Sequence, residues 1–282
     1  MYKLIAFSKW CDKQPLAEQA RALQAAGFDG VDMPCRQSSA ITHATAPARL
    51  AEAQKIFADH GVPIVRLVCD IIDEEDGVVE RFLETLNRLG IRKIRAGGFA
   101  VPGDADVAAL FDRARRRVAQ VEKLLAKHGV AGGIQNHSGD CLEVNVSATL
   151  RLLQDCDPRW LGVQYDPGHL TLAGEPPRLA LGLLGPYLHS VNFKSPRQEY
   201  DVDPASGRLY YVPVWVPLRS GMLNAPLALA ALRQAGYRDA ISVHCEYRSY
   251  FFRAESYAAE VNRLVKDDVD YLRALMRAGR DA

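Results

Sequence analysis

Residues 16–33 read LAEQARALQAAGFDGVDM, and the order of residue types in this stretch decides the fold. Leu16, Ala20 and Leu23 share one face of a helix. Gly27 follows, the residue type that most readily takes the left-handed conformation closing a last helical turn. Phe28 to Met33 is then a short, mostly apolar run of strand length. The same order recurs along the chain. Gly61 precedes Ile64 to Cys69, Gly90 precedes Ile91 to Ala96, Gly129 precedes Val130 to Ile134, and Gly236 precedes Ala240 to Val243. Helix, glycine and buried strand in repetition are the punctuation of alternating α/β structure.

Helical periodicity fills the intervals: Val79, Leu83 and Leu86 before Gly90, and Val261, Val265, Val269, Leu272 and Met276 near the C-terminus. The strand-like runs are Leu4–Ser8, Gly30–Met33, Ile64–Cys69, Lys93–Ala96, Gly132–Asn136, Gly162–Tyr165, Ser190–Lys194 and Ile241–Cys245. They are short and apolar on both faces, as in a parallel sheet covered by helices. A length prior of about 150 residues per domain suggests two domains, but a (β/α)8 barrel of about 250 residues uses nearly the whole chain in one. The expectation is a single (β/α)8 barrel domain over residues 1–282, with an open doubly wound sheet as the alternative. No G-x-G-x-x-G or Walker sequence follows any strand, which argues against a nucleotide-binding open sheet.

The 282 residues are 48% hydrophobic and 24% charged, which excludes disorder, collagen and coiled coil. Lys and Arg number 35 against 34 Asp and Glu, so no overall field gathers nucleic acid or anionic membrane, and a small-molecule substrate is expected. The basic run Arg113, Arg115, Arg116 and Arg117 reads as a solvated helix face. Six scattered cysteines without a C-x-x-C fit a reducing compartment. The stretch from Met1 to Phe7 meets Ser8 and Lys9 too soon for a signal peptide, and no apolar run approaches about 18 residues. A soluble cytoplasmic protein is expected.

Barrel chemistry sits where strands finish. Polar residues gather there: Ser8-Lys9-Trp10, Arg95, Gln135-Asn136-His137, Asp166-Pro167-Gly168-His169, Asn192-Phe193-Lys194-Ser195 and His244-Cys245-Glu246. An unpaired buried polar atom costs about 1–3 kcal/mol, so these endings need partners. Each has a plain reading: His137 could bond a loop carbonyl, Lys194 could pair with a carboxylate, and Asp166 could cap the turn at Pro167-Gly168. Their convergence points to a site. Residues 197–221, outside any strand or helix pattern, carry Tyr200, Tyr210, Tyr211, Trp215 and Arg219 and read as a lid or a subunit contact in a homo-oligomer.

On Gly27-Phe28-Asp29-Gly30-Val31-Asp32, Asn136-His137-Ser138-Gly139, Asp166-Pro167-Gly168-His169, Val191-Asn192-Phe193-Lys194 and Gly236-Tyr237, the chain resembles the xylose isomerase-like barrel superfamily of sugar isomerases and epimerases. The superfamily also includes inosose dehydratase-type lyases and the apurinic endonucleases. The resemblance implies a divalent metal held by two Glu, an Asp and a His, the glutamates also moving a proton next to a carbonyl. Those positions fall on Gln135, Asp166, Asn192 and His244, so three of the four differ from the pattern. Amide oxygens are weak ligands and Gln135 accepts no proton, so a weakly held Mn, Mg, Zn or Co ion and metal-free chemistry are both open. His189 lies three residues before Asn192, on the opposite pleat, and is not expected to replace the missing ligand.

The resemblance assigns substrate contacts to His137, His169 and Lys194. Trp10, Arg95, Asn136, Arg197 and Arg219 are further binding candidates, the arginines suiting a phosphate or carboxylate. His244 and Glu246 are acid/base candidates, and either is open as the inward residue of the last strand. His169 and Lys194 complete the catalytic set. The implied activity is isomerisation or epimerisation of a small polyhydroxylated sugar or sugar phosphate. A lyase acting on an inosose-like substrate and a non-catalytic sugar-binding protein are the alternatives.

Overall fold

The alternation of helix and strand closes on itself. The structure, a computed structural model, describes residues 2–247 and 257–279. Residue 1, residues 248–256 and residues 280–282, which the domain expectation of 1–282 includes, lie outside the described residues. Eight parallel strands form the barrel: β1 (Leu4–Phe7), β2 (Gly30–Pro34), β3 (Ile64–Val68), β4 (Lys93–Gly97), β5 (Ala131–Gln135), β6 (Leu161–Tyr165), β7 (Leu188–Phe193) and β10 (Ile241–Val243). β10 pairs with both β7 and β1, with Leu4 opposite Ile241, and this closes the ring. The open-sheet alternative is thereby excluded.

The helices are α1 (Leu16–Ala26), α2 (Ala46–Asp59), α3 (Asp76–Arg88), α4 (Val107–His128), α5 (Val146–Leu153), α6 (Pro167–Ala173), α7 (Pro177–Leu184), α8 (Ala225–Gln234) and α9 (Tyr257–Ala278). Gly27 ends α1 at φ 86°, a left-handed residue whose N–H bonds back to the Gln24 and Leu23 carbonyls. Phe57 of α2 and Phe82 of α3 are fully buried. Such rings each contribute about 2–3 kcal/mol of burial free energy.

Along each strand the pleat sends alternate residues outward and inward. Leu4, Ala6, Val31, Met33, Ile94, Ala96, Ile134, Val163, Tyr165, Val191, Ile241 and Val243 belong to the apolar cluster under the helices. The alternate set, including Asp32, Arg66, Arg95, Gln135, Gln164, Asn192 and Ser242, faces the barrel interior. Much of that interior is polar, and it leads to the C-terminal mouth.

Five strands, β1, β3, β5, β7 and β10, end slightly earlier than the sequence suggests, while β2 and β4 run on to Pro34 and Gly97. Asn136, Lys194, His244 and Cys245 follow the last ladder pairs. Residues 197–221 are not an unpatterned loop: β8 (Ser195–Val202) and β9 (Leu209–Val216) form an antiparallel hairpin beginning directly after β7. Its prolines, Pro196 opposite Trp215 and Pro213 opposite Gln198, are tolerated because a two-stranded ribbon has an outer edge. No helix among the described residues is long and apolar enough to cross a membrane.

Candidate active site

Two neighbouring strands put opposite charges at the same level of the barrel. Asp32 on β2 stands opposite Arg66 on β3, and Arg66 Nη2 donates to Asp32 Oδ2 at 2.5 Å and to Asn192 Oδ1 at 2.7 Å. All three residues are buried. Burial works against the Arg66 charge, but adjacent Asp32 outweighs it and raises the guanidinium pKa above its ordinary value. A guanidinium only donates, so the Asn192 atom facing it is the oxygen. The Asn192 amide nitrogen has no hydrogen-bond partner among the described residues.

The Asp-Pro-Gly-His run starts α6. Asp166 is its N-cap, accepting from the Gly168 and His169 N–H groups, and Pro167 occupies the first turn, where no donor is needed. Asn136 clamps the same residue, donating to its carbonyl and accepting from its N–H, both at 2.9 Å. Gln135 Nε2 donates to Asp166 Oδ2 at 2.8 Å. Burial pushes the Asp166 carboxyl up to about 6, against the pull of Lys194. A side chain at Gly168 would put Cβ 2.3 Å from the Lys194 carbonyl oxygen, so only glycine lets α6 approach β7 this closely.

His169 is fixed from its other side. The Ser138 N–H donates to Nδ1 at 3.0 Å, so in the neutral ring the proton is on Nε2, which has no hydrogen-bond partner among the described residues. His137 stacks on His169 at 3.8 Å, and Trp215 of β9 meets it edge-on at 4.7 Å. Burial and then Lys194 hold His169 well below the ordinary imidazole range and His137 at about 4. Both imidazoles are neutral at physiological pH.

Lys194 lies 4.1 Å from the Trp215 ring centroid and donates to Glu246 Oε2 at 3.1 Å. Lys9 holds the other oxygen of Glu246 at 2.5 Å. Burial alone would raise the Glu246 pKa, but Lys194, His244 and Lys9 together hold it well below the carboxylate range. His244 stacks on Phe7 at 4.5 Å and lies 3.9 Å from both Glu246 Oε2 and Asp32 Oδ2. Burial keeps its pKa well below the ordinary value. At the rim, Arg95 and Arg36 converge on Asp70 at 3.2 and 3.5 Å. A cavity of about 360 Å³ opens there, lined in part by Arg36, His43, Asp70 and Glu74.

The mouth therefore combines an ionised carboxylate, a lysine cation and neutral imidazoles around buried polar atoms without hydrogen-bond partners among the described residues. Such a set can abstract a proton and receive an oxyanion. A family model described as xylose isomerase-like TIM barrel matches residues 20–275. The chain belongs to the xylose isomerase-like TIM barrel family. Among solved members of this fold, a 3-keto-D-glucoside 4-epimerase from E. coli superposes with a TM-score of 0.71 at 16% identity, covering 97% of this chain and 100% of that one. A D-psicose 3-epimerase gives 0.70 at 14% identity, covering 98% and 99%. A xylose isomerase-like TIM barrel protein from Mycobacterium smegmatis, in complex with magnesium, gives 0.64 at 19%, covering 98% of each chain. No curated protein matches the sequence.

Within this xylose isomerase-like barrel, His137, His169, Lys194, His244 and Glu246 come together at the mouth. The question of which last-strand residue turns inward has a double answer: His244 points into the barrel and Glu246 lies just above, within reach of it. The plain readings are all seen: Lys194 pairs with Glu246, Asp166 caps α6 and His137 bonds the Ser138 carbonyl. Asn136 is buried as the clamp on Asp166, and Arg95 stands at the rim. Trp10 donates to Asn262 of α9 at 3.2 Å. Arg197 pairs with Glu199 on the hairpin, and exposed Arg219 stacks on Tyr271 of α9 at 4.1 Å, which engages it on the closing helix. His189 bonds the Gly132 and Pro158 carbonyls, away from the mouth. Of the basic run, Arg117 is not merely solvated: it donates to the Ile72, Ile71 and Glu74 carbonyls and fastens the loop after β3.

The family's metal positions do not fit a divalent ion here. The Asn192 oxygen accepts from Arg66, and both Asp166 oxygens accept hydrogen bonds, one from the Gln135 amide. Among the described residues no group of three or more His, Cys, Asp or Glu is arranged to hold a metal. Sequence reading missed Arg66 and Asp32. The available signal was a lone arginine inside the apolar run Ile64–Val68, which in a barrel strand demands a buried partner.

Proposed function

We propose that this protein is an isomerase or epimerase acting on a small polyhydroxylated carbonyl compound, and that it moves a proton next to the carbonyl without a divalent metal. The observation behind this reading is the set of buried atoms without hydrogen-bond partners among the described residues at one barrel end: His169 Nε2, His244 Nε2 and Asn192 Nδ2. Groups left unpaired in this way cost about 1–3 kcal/mol each unless a ligand or solvent meets them. The sugar epimerases of similar fold support the substrate class at a coarse level.

In the proposed reaction the substrate carbonyl oxygen is received by Lys194 Nζ and the His169 Nε2–H. Lys194 then shares its charge with the substrate and releases part of its hold on Glu246, which makes that carboxylate more basic as the substrate arrives. Glu246 takes the proton from the adjacent carbon. The resulting enediolate is stabilised by Lys194 and His169 in a site shielded by Trp215. His244, 3.9 Å from Glu246, is placed to relay the proton during its return. Arg95 and Arg36 at the rim suit a distal anionic group.

Incubation of the protein in D2O with a panel of ketoses, ketose phosphates and keto-inositols, followed by proton NMR, tests this reading. Deuterium entering the carbon next to the carbonyl is the expected result. Exchange without loss of water identifies isomerisation or epimerisation, and loss of water identifies a lyase. Absence of exchange with every compound, with or without added metal, rejects the reading.

A further inference from the structure

Arg66 places a permanent positive charge among the family's metal positions. It is anchored on Asp32 Oδ2 and fixes Asn192 by its oxygen. The Asn192 amide N–H2 is thereby turned away from the guanidinium, buried and without a partner among the described residues. Lys194 follows β7 two residues after Asn192, and its ammonium reaches the same cluster: it donates to Glu246, which lies 3.9 Å from His244, itself 3.9 Å from the Asp32 oxygen that anchors Arg66. Neither an amide nitrogen nor an ammonium can ligate a cation, and both donate.

We infer that Arg66 replaces the family's divalent ion electrostatically: by orienting Asn192 it builds, with Lys194, a metal-free receptor for a planar oxyanion such as an enediolate. The inference rests on the proton-transfer reading for the identity of that anion. The receptor itself is assessed by binding alone. Its donors are in position before the ligand arrives, which is the condition for electrostatic stabilisation without reorganisation.

Calorimetry on the wild-type protein separates the alternatives, using Mn2+ alone and oxalate, a planar dianion, in chelator. Saturable oxalate binding in chelator is expected, together with no Mn2+ binding below the millimolar range. Asn192→Asp keeps an oxygen for Arg66, so the fold is retained, while it replaces the donor by a negative charge. It should weaken oxalate by at least about tenfold, a loss the size of one charge-assisted hydrogen bond. Micromolar stoichiometric Mn2+ binding, oxalate binding only after Mn2+ is added, no oxalate binding at all, or an unchanged affinity in Asn192→Asp would each overturn the inference. If oxalate binds as expected while every substrate fails to exchange deuterium, the function reading falls and the receptor stands.

Discussion

Glu246 is held between two lysines, and that geometry makes it the most informative single position. Glu246→Gln keeps the shape and removes the proton acceptor. It is expected to lower kcat by about 10²–10⁴-fold with a small effect on KM, measured by initial rates on whichever substrate exchanges deuterium. Rates within a few-fold of wild type would shift the base role elsewhere. Residues of this kind were legible in the sequence because polar side chains at strand ends contradict the apolar pattern around them. Arg66 and Asp32 were not, because they are 34 positions apart and their pairing depends on strand register. Arg219 shows the same dependence on the fold: a cation close to a strand end in sequence lies over the Tyr271 face of α9.

At the scale of elements, two contacts carry separate consequences. α6 packs against β7 only because residue 168 lacks a side chain. Gly168→Ala, with Cβ 2.3 Å from the Lys194 carbonyl oxygen, should cost about 1–3 kcal/mol in chemical denaturation and also lower activity, since Lys194 must shift. α9 is tied down by Asp268, which accepts from the Leu218 N–H at 2.8 Å and the Tyr247 hydroxyl at 2.6 Å. Burial pushes this carboxyl up to about 7. The folded protein therefore binds this proton more tightly than the unfolded chain. Its stabilising effect is full below about pH 4 and is lost as pH rises through about 7. Asp268→Asn should flatten the fall of the thermal midpoint between pH 5 and pH 8, a difference of roughly 2–4 kcal/mol in wild type. An unchanged slope would show that the proton is not held there. The order of barrel strands and helices was readable because five of the helices, α1, α2, α3, α4 and α8, end before a glycine and an apolar run. The hairpin was not, because Pro196, Pro213 and its charged positions mask the strand pattern, and its pairing depends on two segments meeting antiparallel.

For the whole molecule, the near balance of charge that pointed to small-molecule chemistry reappears inside the barrel, where Arg66 and Lys194 stand against Asp32 and Glu246. A barrel whose interior is neutralised by its own side chains does not depend on an ion for its fold. Dialysis against chelator is therefore expected to leave the thermal midpoint unchanged, and added Mn2+ should not raise it, whereas an ion bound only by the native state would. Calorimetric scans of the treated and untreated protein measure this directly.

The indole of Trp215 lies over the Lys194 ammonium and against the edge of His169. The sequence has three tryptophans, the others being Trp10 and Trp160. Trp10 is bonded to α9, and Trp160 precedes β6 at its N-terminal end. One fluorophore in the chain thus lies against the ammonium that the proposed reaction sets on the substrate oxygen. The protein has its own optical reporter: an anion settling on Lys194 should change the emission, and the Trp215→Phe difference spectrum would isolate that signal, so unknown ligands can be screened without a label or an assay of turnover.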